Sequence, residues 1–209
     1  MTSHTETTSE TTRARALALI AQQGMLRLRD LTAAGIGPET VSRLVRGGWL
    51  LRVARGLYES SRARPSADHS LAQAAILVPR SVVCLLSALH RHRLIAEAPR
   101  EIWLALPSGS WSPTIDYPPL RPVRFGPRAY AAGIETHRIE QVTVQCYGVA
   151  KTVTDCLRYR AVLGAPVVTK ALREALRTQR CTVHELLAWA HAQRVIGPMR
   201  TWLEIAGLS

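Results

Sequence analysis

Between residues 13 and 62 the apolar positions fall into short groups of changing period. Leu17, Ile20 and Ala21 share one face of a helix expected over residues 13–23, and Gly24 stops it. Met25-Leu26-Arg27 is too short for a helix and reads as an extended segment. Leu28, Leu31 and Thr32, backed by Ala33-Ala34, give a short second helix. Gly35-Ile36-Gly37 is a turn in which two glycines supply backbone freedom and Ile36 can plug the gap between helices. Pro38 suits the first position of a third helix and Glu39 its first turn. There Val41, Leu44 and Val45 face inward, and Gly47-Gly48 ends the helix. Residues 49–53 and 57–59 then pair as a hairpin around Ala54-Arg55-Gly56. Helix, short strand, helix, helix, hairpin is the order of a winged helix-turn-helix.

The pattern changes after a proline-containing, small-residue stretch at residues 63–68. Helices are expected over 69–78 and 81–93, divided by Pro79. A strand follows over 101–106, then a turn-rich loop over 108–119, a short strand over 123–125 and a helical turn over 128–132. Residues 134–147 alternate as a hairpin, and 149–159 form an amphipathic helix with Val149, Val153, Cys156 and Leu157 inward. Three more helices are expected over 167–178, 183–192 and 199–205. Helices around a small antiparallel or mixed sheet make an α+β domain. The fold class is therefore α+β: an N-terminal winged helix-turn-helix followed by a C-terminal α+β domain. The expected division is a disordered polar tail over 1–12, the winged helix over 13–62, a linker over 63–68 and the second domain over 69–209.

Charge sharpens this picture. The 209 residues carry a formal net charge of +12, and Lys151 and Lys170 are the only lysines, so the excess is arginine. Guanidinium forks match phosphate oxygens, which favours nucleic acid as the partner. No apolar run approaches the roughly 20 residues needed to span a membrane, so no membrane role is expected. On the third helix, Glu39, Arg43 and Arg46 lie opposite the apolar face, with Thr40 and Ser42 on the flanks. A helix fits the major groove and Arg reaches guanine O6 and N7 from its outer face. Arg52 and Arg55 on the hairpin can reach the flanking backbone or minor groove. These seven residues are the candidate DNA-binding set. Cys84, Cys146, Cys156 and Cys181 are widely spaced, form no CxxC pair and read as reduced core residues, which points to a cytoplasmic location.

The sequence offers little for catalysis. His90 and His92 are two apart, so on a helix they point to nearly opposite faces, a poor metal pair. Gly109-Ser110 with Asp116 resembles the start of a nucleotidyltransferase signature, but no second carboxylate stands near Asp116 to share metals. Lys151 and Asp155 are one helical turn apart and read as a helix ion pair worth a few tenths of a kcal/mol. No catalytic residue, metal or cofactor is expected.

The run GLYE after a basic winged helix, then SALH, EIWLALPSG, DYPPLRPVRFG, ETHRIEQVTVQCYGVAKTVTDCLRYR and ALREAL, resembles the AbiEi family of antitoxins over nearly the whole chain after residue 12. These belong to bacterial type IV toxin–antitoxin, or abortive-infection, operons. Relatives often carry Ser-Pro where this chain has Gly148-Val149. The resemblance implies that the winged helix binds operator repeats in its own promoter and represses the operon. It implies that the second domain counteracts a nucleotidyltransferase-type toxin, without necessarily forming a stable complex. It gives no residue-level antitoxin site, so the basic residues Lys151, Arg158, Arg160, Arg173 and Arg177 are candidates by charge alone. Two alternatives to the repressor–antitoxin stay open: a nucleic-acid-directed enzyme, and a ligand-sensing regulator that uses the winged helix for targeting.

Overall fold

The computed structural model describes residues 3–110 and 113–207, with the side chains of 3–10 outside the description. The chain forms two compact units. The first comprises Met1–Pro79, Asp116–Pro118 and Arg138–Val144; the second comprises Arg80–Ile115, Pro119–His137 and Gln145–Ser209. The expected winged helix-turn-helix followed by an α+β domain is the architecture observed.

In the first unit, α1 (Ser3–Gln23), β1 (Met25–Arg27), α2 (Leu28–Ala33), α3 (Pro38–Arg46), β2 (Leu50–Ala54) and β3 (Leu57–Ser60) follow the expected order. The three strands form one antiparallel sheet in the order β1-β3-β2. Helix α1 starts ten residues before the expected Arg13. Once Ala16 and Ile20 are packed, added residues extend an existing helix and need no new nucleus. Ala16, not the expected Ala21, completes the buried stripe. The unit also takes in α4 (His69–Leu77), which composition alone places in the second domain.

Glycine sets two positions here. Gly24, at φ +78°, ends α1 where a Cβ would lie 2.0 Å from the Glu140 carbonyl oxygen. Gly35, at φ +80°, ends α2 in a Schellman motif: the Ile36 amide donates to Leu31 and the Gly35 amide to Thr32, both at 2.9 Å. Ile36 then packs fully buried with Leu31, Val41 and Leu44.

The second unit holds the remaining elements, except that the hairpin tip Arg138–Val144 belongs to the first. In order these elements are β4 (Val82–Val83), α5 (Leu85–Arg91), β5 (Ile102–Pro107), β6 (Leu120–Phe125), α6 (Pro127–Ala131), β7 (Ile134–Ile139), β8 (Val142–Tyr147), α7 (Val149–Arg158), α8 (Arg160–Leu163), α9 (Ala165–Arg177), α10 (Val183–Ala192) and α11 (Ile196–Ile205). The sheet is mixed, in the order β6-β5-β4-β8-β7. β4 runs antiparallel to β5 and parallel to β8, and β5 runs parallel to β6. The expected helix over 81–93 is corrected. Val82-Val83 are β-branched and pair with Ala105, Leu104 and Cys146 as the central strand, and the helix begins only at Leu85. Helix α7 is the pivot of this unit, with α5, α9, α10 and α11 packed against it.

Within the first unit, a cluster ties the end of the wing to α4 and to the hairpin turn at Glu140. His69 Nδ1 lies 2.7 Å from Glu140 Oε2, and His69 Nε2 lies 3.5 Å from Glu59 Oε2. The Ser66 amide also donates to Glu140. Burial pushes the Glu59 carboxyl up, opposed by His69. Burial alone would raise Glu140 as well, but the hydrogen bonds from Ser66 and His69 outweigh it and hold this carboxyl below its ordinary value. The stability Glu140 contributes is therefore complete above its ordinary pKa and is lost as pH falls through the lowered one. Urea unfolding of wild type and Glu140→Gln is expected to differ at about pH 6 and to converge toward about pH 3. A gap of constant size across that range would show that the carboxylate charge is not its source.

Candidate nucleic-acid interface

Sequence places the recognition helix by what it buries. Val41 and Leu44 of α3 are buried against α2 and the sheet, which turns the opposite face outward. Glu39, Ser42, Arg43 and Arg46 are exposed there, with Thr40 half-buried beside them. Arg43 Nη2 reaches Thr40 Oγ1 at 3.5 Å, one turn back on the same helix. On the wing, Arg52 is exposed on β2, and Arg55 is exposed in the turn beside Gly56 at φ +70°. Pairing slips between Arg52 and Ala54, so a bulge bends the wing next to its arginine tip. All seven candidate DNA-binding residues thus belong to one helix–wing segment, and six of them are exposed.

A further cationic group escaped the sequence reading. Trp49, between α3 and β2, carries the Arg13 guanidinium 5.1 Å and the Arg62 guanidinium 5.7 Å from its ring centroid. The available signal was periodicity. Arg13 precedes Ala16 and Ile20 by three and seven positions, so it continues the buried stripe of α1.

The antitoxin candidates separate in the second unit. Lys151 is 1% exposed and Asp155 2%, and their side chains meet at 2.6 Å. The ammonium lies 3.8 Å from the ring centroid of Tyr147, 5.0 Å from that of Phe125 and 5.7 Å from that of Trp189. The helix ion pair expected from sequence is present and is buried, so Lys151, a candidate by charge alone, is a core residue. Burial pushes the Asp155 carboxyl up, and Lys151 opposes that rise. Arg158 is exposed. Arg160 donates to the Leu157 carbonyl at 3.2 Å near the end of α7. Arg177 is paired twice with Glu174, at 2.7 and 2.9 Å. Arg173 is exposed and lines a shallow groove along α9 with Lys170 and Leu176.

His92 is buried, with Nε2 2.7 Å from the Tyr147 carbonyl, and burial pushes its pKa down. Gly109-Ser110 and Asp116 lie in the loop between β5 and β6; residues 111–112 of that loop are outside the described residues. All four cysteines are free and buried. No described helix is long and apolar enough to cross a membrane.

A basic recognition helix braced by a three-stranded wing defines the first unit as a winged helix-turn-helix. Residues 14–60 match the family model described as transcriptional regulator, AbiEi antitoxin, so the resemblance seen in the sequence holds over this segment. Among solved structures the chain is similar to the RV2827C protein from Mycobacterium tuberculosis, at 15% identity and a TM-score of 0.64. The match covers 94% of this chain and 78% of that one, and at this identity it is a likeness of fold. No curated protein matches the sequence.

Removing one partner of a buried ion pair leaves the other charge uncompensated. Asp155→Ala is expected to cost about 3–5 kcal/mol of stability, and the double variant Lys151→Met/Asp155→Leu less than that. Thermal and urea unfolding check this; a stable Asp155→Ala would mean that the ammonium escapes to water.

Proposed function

We propose that this chain is a sequence-specific DNA-binding transcriptional repressor and an antitoxin. It acts in the cytoplasm, at the nucleoid, and autoregulates its operon by binding operator repeats in its own promoter. Its second unit counteracts a nucleotidyltransferase-type toxin, functionally and not necessarily through a stable complex. The observation that carries the DNA reading is the exposed Arg43 and Arg46 on a helix whose other face is fixed in the core of a winged helix. The match of residues 14–60 to an antitoxin transcriptional-regulator family supports the pairing of regulation with antitoxin action. In this reading Arg43 and Arg46 contact base edges, Glu39, Thr40 and Ser42 flank them, and Arg52 and Arg55 contact phosphates. Of the antitoxin candidates, Arg158, Arg160 and Arg173 are the ones with exposed charge and no carboxylate pair among the described residues.

A ligand-sensing second unit is the alternative with a specific observation behind it. A cavity of about 380 Å³ is lined by Glu135, Arg180, Cys181, Glu185 and Trp189, together with the first turn of α7. It offers both signs of charge beside an aromatic face.

Binding of the full chain to its upstream DNA and to a scrambled duplex tests the proposal. Arg43→Ala is expected to lose about 1–3 kcal/mol of discrimination between the two. Equal weakening on both would make Arg43 a phosphate contact. Arg55→Ala is expected to weaken binding without changing preference and to flatten the salt dependence by about one phosphate contact. An unchanged salt slope would remove the wing from the interface.

A further inference from the structure

The Trp49 ring and its two arginines are built with more care than a solvated surface requires. Helix α3 ends in a second Schellman motif. The Gly48 amide, at φ +70°, donates to Val45 at 3.0 Å, and the Trp49 amide donates to Leu44 at 2.9 Å. The motif fixes where the ring leaves the helix, and Gly47 gives it room: a Cβ there would lie 3.1 Å from Trp49 Cδ1. The ring packs against the core of the first unit with Leu17, Leu19 and Tyr58. The wing delivers one arginine. The Ser61 amide and hydroxyl both donate to the Trp49 carbonyl at 3.1 Å, which places Arg62 beside the ring. The buried stripe of α1 delivers the other, Arg13.

Two guanidinium groups on one indole repel each other. The ring's electron-rich surface and three separate pieces of backbone help to hold them together. Arg62 is exposed, and among the described residues no carboxylate pairs with it. The Arg62 guanidinium over the ring is exposed, and a planar fork of donors matches phosphate oxygens. Trp49 lies three residues beyond Arg46 and three before Arg52, each step spanning at most about 10 Å of chain. The cations therefore stand where the recognition helix passes into the wing.

We propose that Arg62, held over Trp49 beside Arg13, is a preorganised contact for a phosphodiester of the DNA backbone flanking the site read by α3, a clamp to which Arg13 adds its positive field. This rests on the DNA-binding reading above and adds residues that neither the helix face nor the wing tip includes. The clamp adds affinity and orientation, with no preference for sequence.

The test uses the full chain, its upstream duplex and a scrambled duplex, with affinities measured between about 50 and 200 mM salt. Arg62→Ala is expected to weaken binding to both duplexes equally and to reduce the slope of log affinity against log salt by about 0.9. The variant then loses about threefold less affinity than wild type across that interval. Trp49→Leu is expected to lower the slope further by releasing both arginines, while Trp49→Phe, which keeps an aromatic face, stays near wild type. Since Trp49 also packs on the core, thermal melts accompany these variants, and the exposed Arg62 carries the result if Trp49→Leu unfolds. An unchanged slope in Arg62→Ala, with Arg43→Ala still losing sequence preference, would overturn the clamp and leave the repressor reading standing. Wild-type protein that binds neither duplex would overturn both.

Discussion

A charge removed from water must bring its counter-charge with it, and the second unit is arranged around one such pair. Lys151 and Asp155 stand one turn apart on α7, the helix against which α5, α9, α10 and α11 pack. Tyr147, Phe125 and Trp189 surround the ammonium, so it gains ring electrostatics in place of hydration. Phe125 in turn stacks on Tyr147 and Tyr159, with ring planes 12° and 10° apart. Such a pair contributes little net stability compared with apolar residues of the same size. What it does is favour one rotation of α7, because turning the helix would carry the ammonium away from Tyr147, Phe125 and Trp189.

The first unit depends on a different constraint. Two Schellman motifs, each with a glycine in the left-handed region, bound the recognition helix. The first puts Ile36 into the core and lets α2 brace α3. The second puts Trp49 where the helix becomes the wing. Between them Val41 and Leu44 leave α3 one orientation, and that orientation turns Arg43 and Arg46 to solvent. The basic face is thus a consequence of core packing, and its proposed use on DNA rests on charge and shape.

Much of this was legible in the residues themselves. The winged helix could be read because its signals are local: Gly35-Ile36-Gly37, Pro38, and a short hairpin around Ala54-Arg55-Gly56. The candidate DNA-binding residues followed, since exposure on a short helix is set by its own period. Where long-range pairing decides, sequence was silent. Val82-Val83 sit inside a helical spacing, yet the two strands beside them claim them for the sheet. Lys151 and Asp155 have the spacing of a surface ion pair, and only the arrival of Trp189 and Phe125 from distant parts of the chain buries them. The Arg13–Trp49–Arg62 group was hidden for the same reason, since its members come from three separate stretches of the chain. For the antitoxin candidates sequence supplied only charge, which does not tell the buried Lys151 from the exposed Arg158.

The most direct test of the account is titration of the purified chain against DNA from upstream of its own gene. A scrambled duplex of equal length and composition serves as control, at two salt concentrations. Tight binding that prefers the upstream sequence at both concentrations, and weakens steeply with salt, is the result this structure predicts. Weak binding to both duplexes without preference would contradict it, and would make the arginine face of α3 a solvated surface.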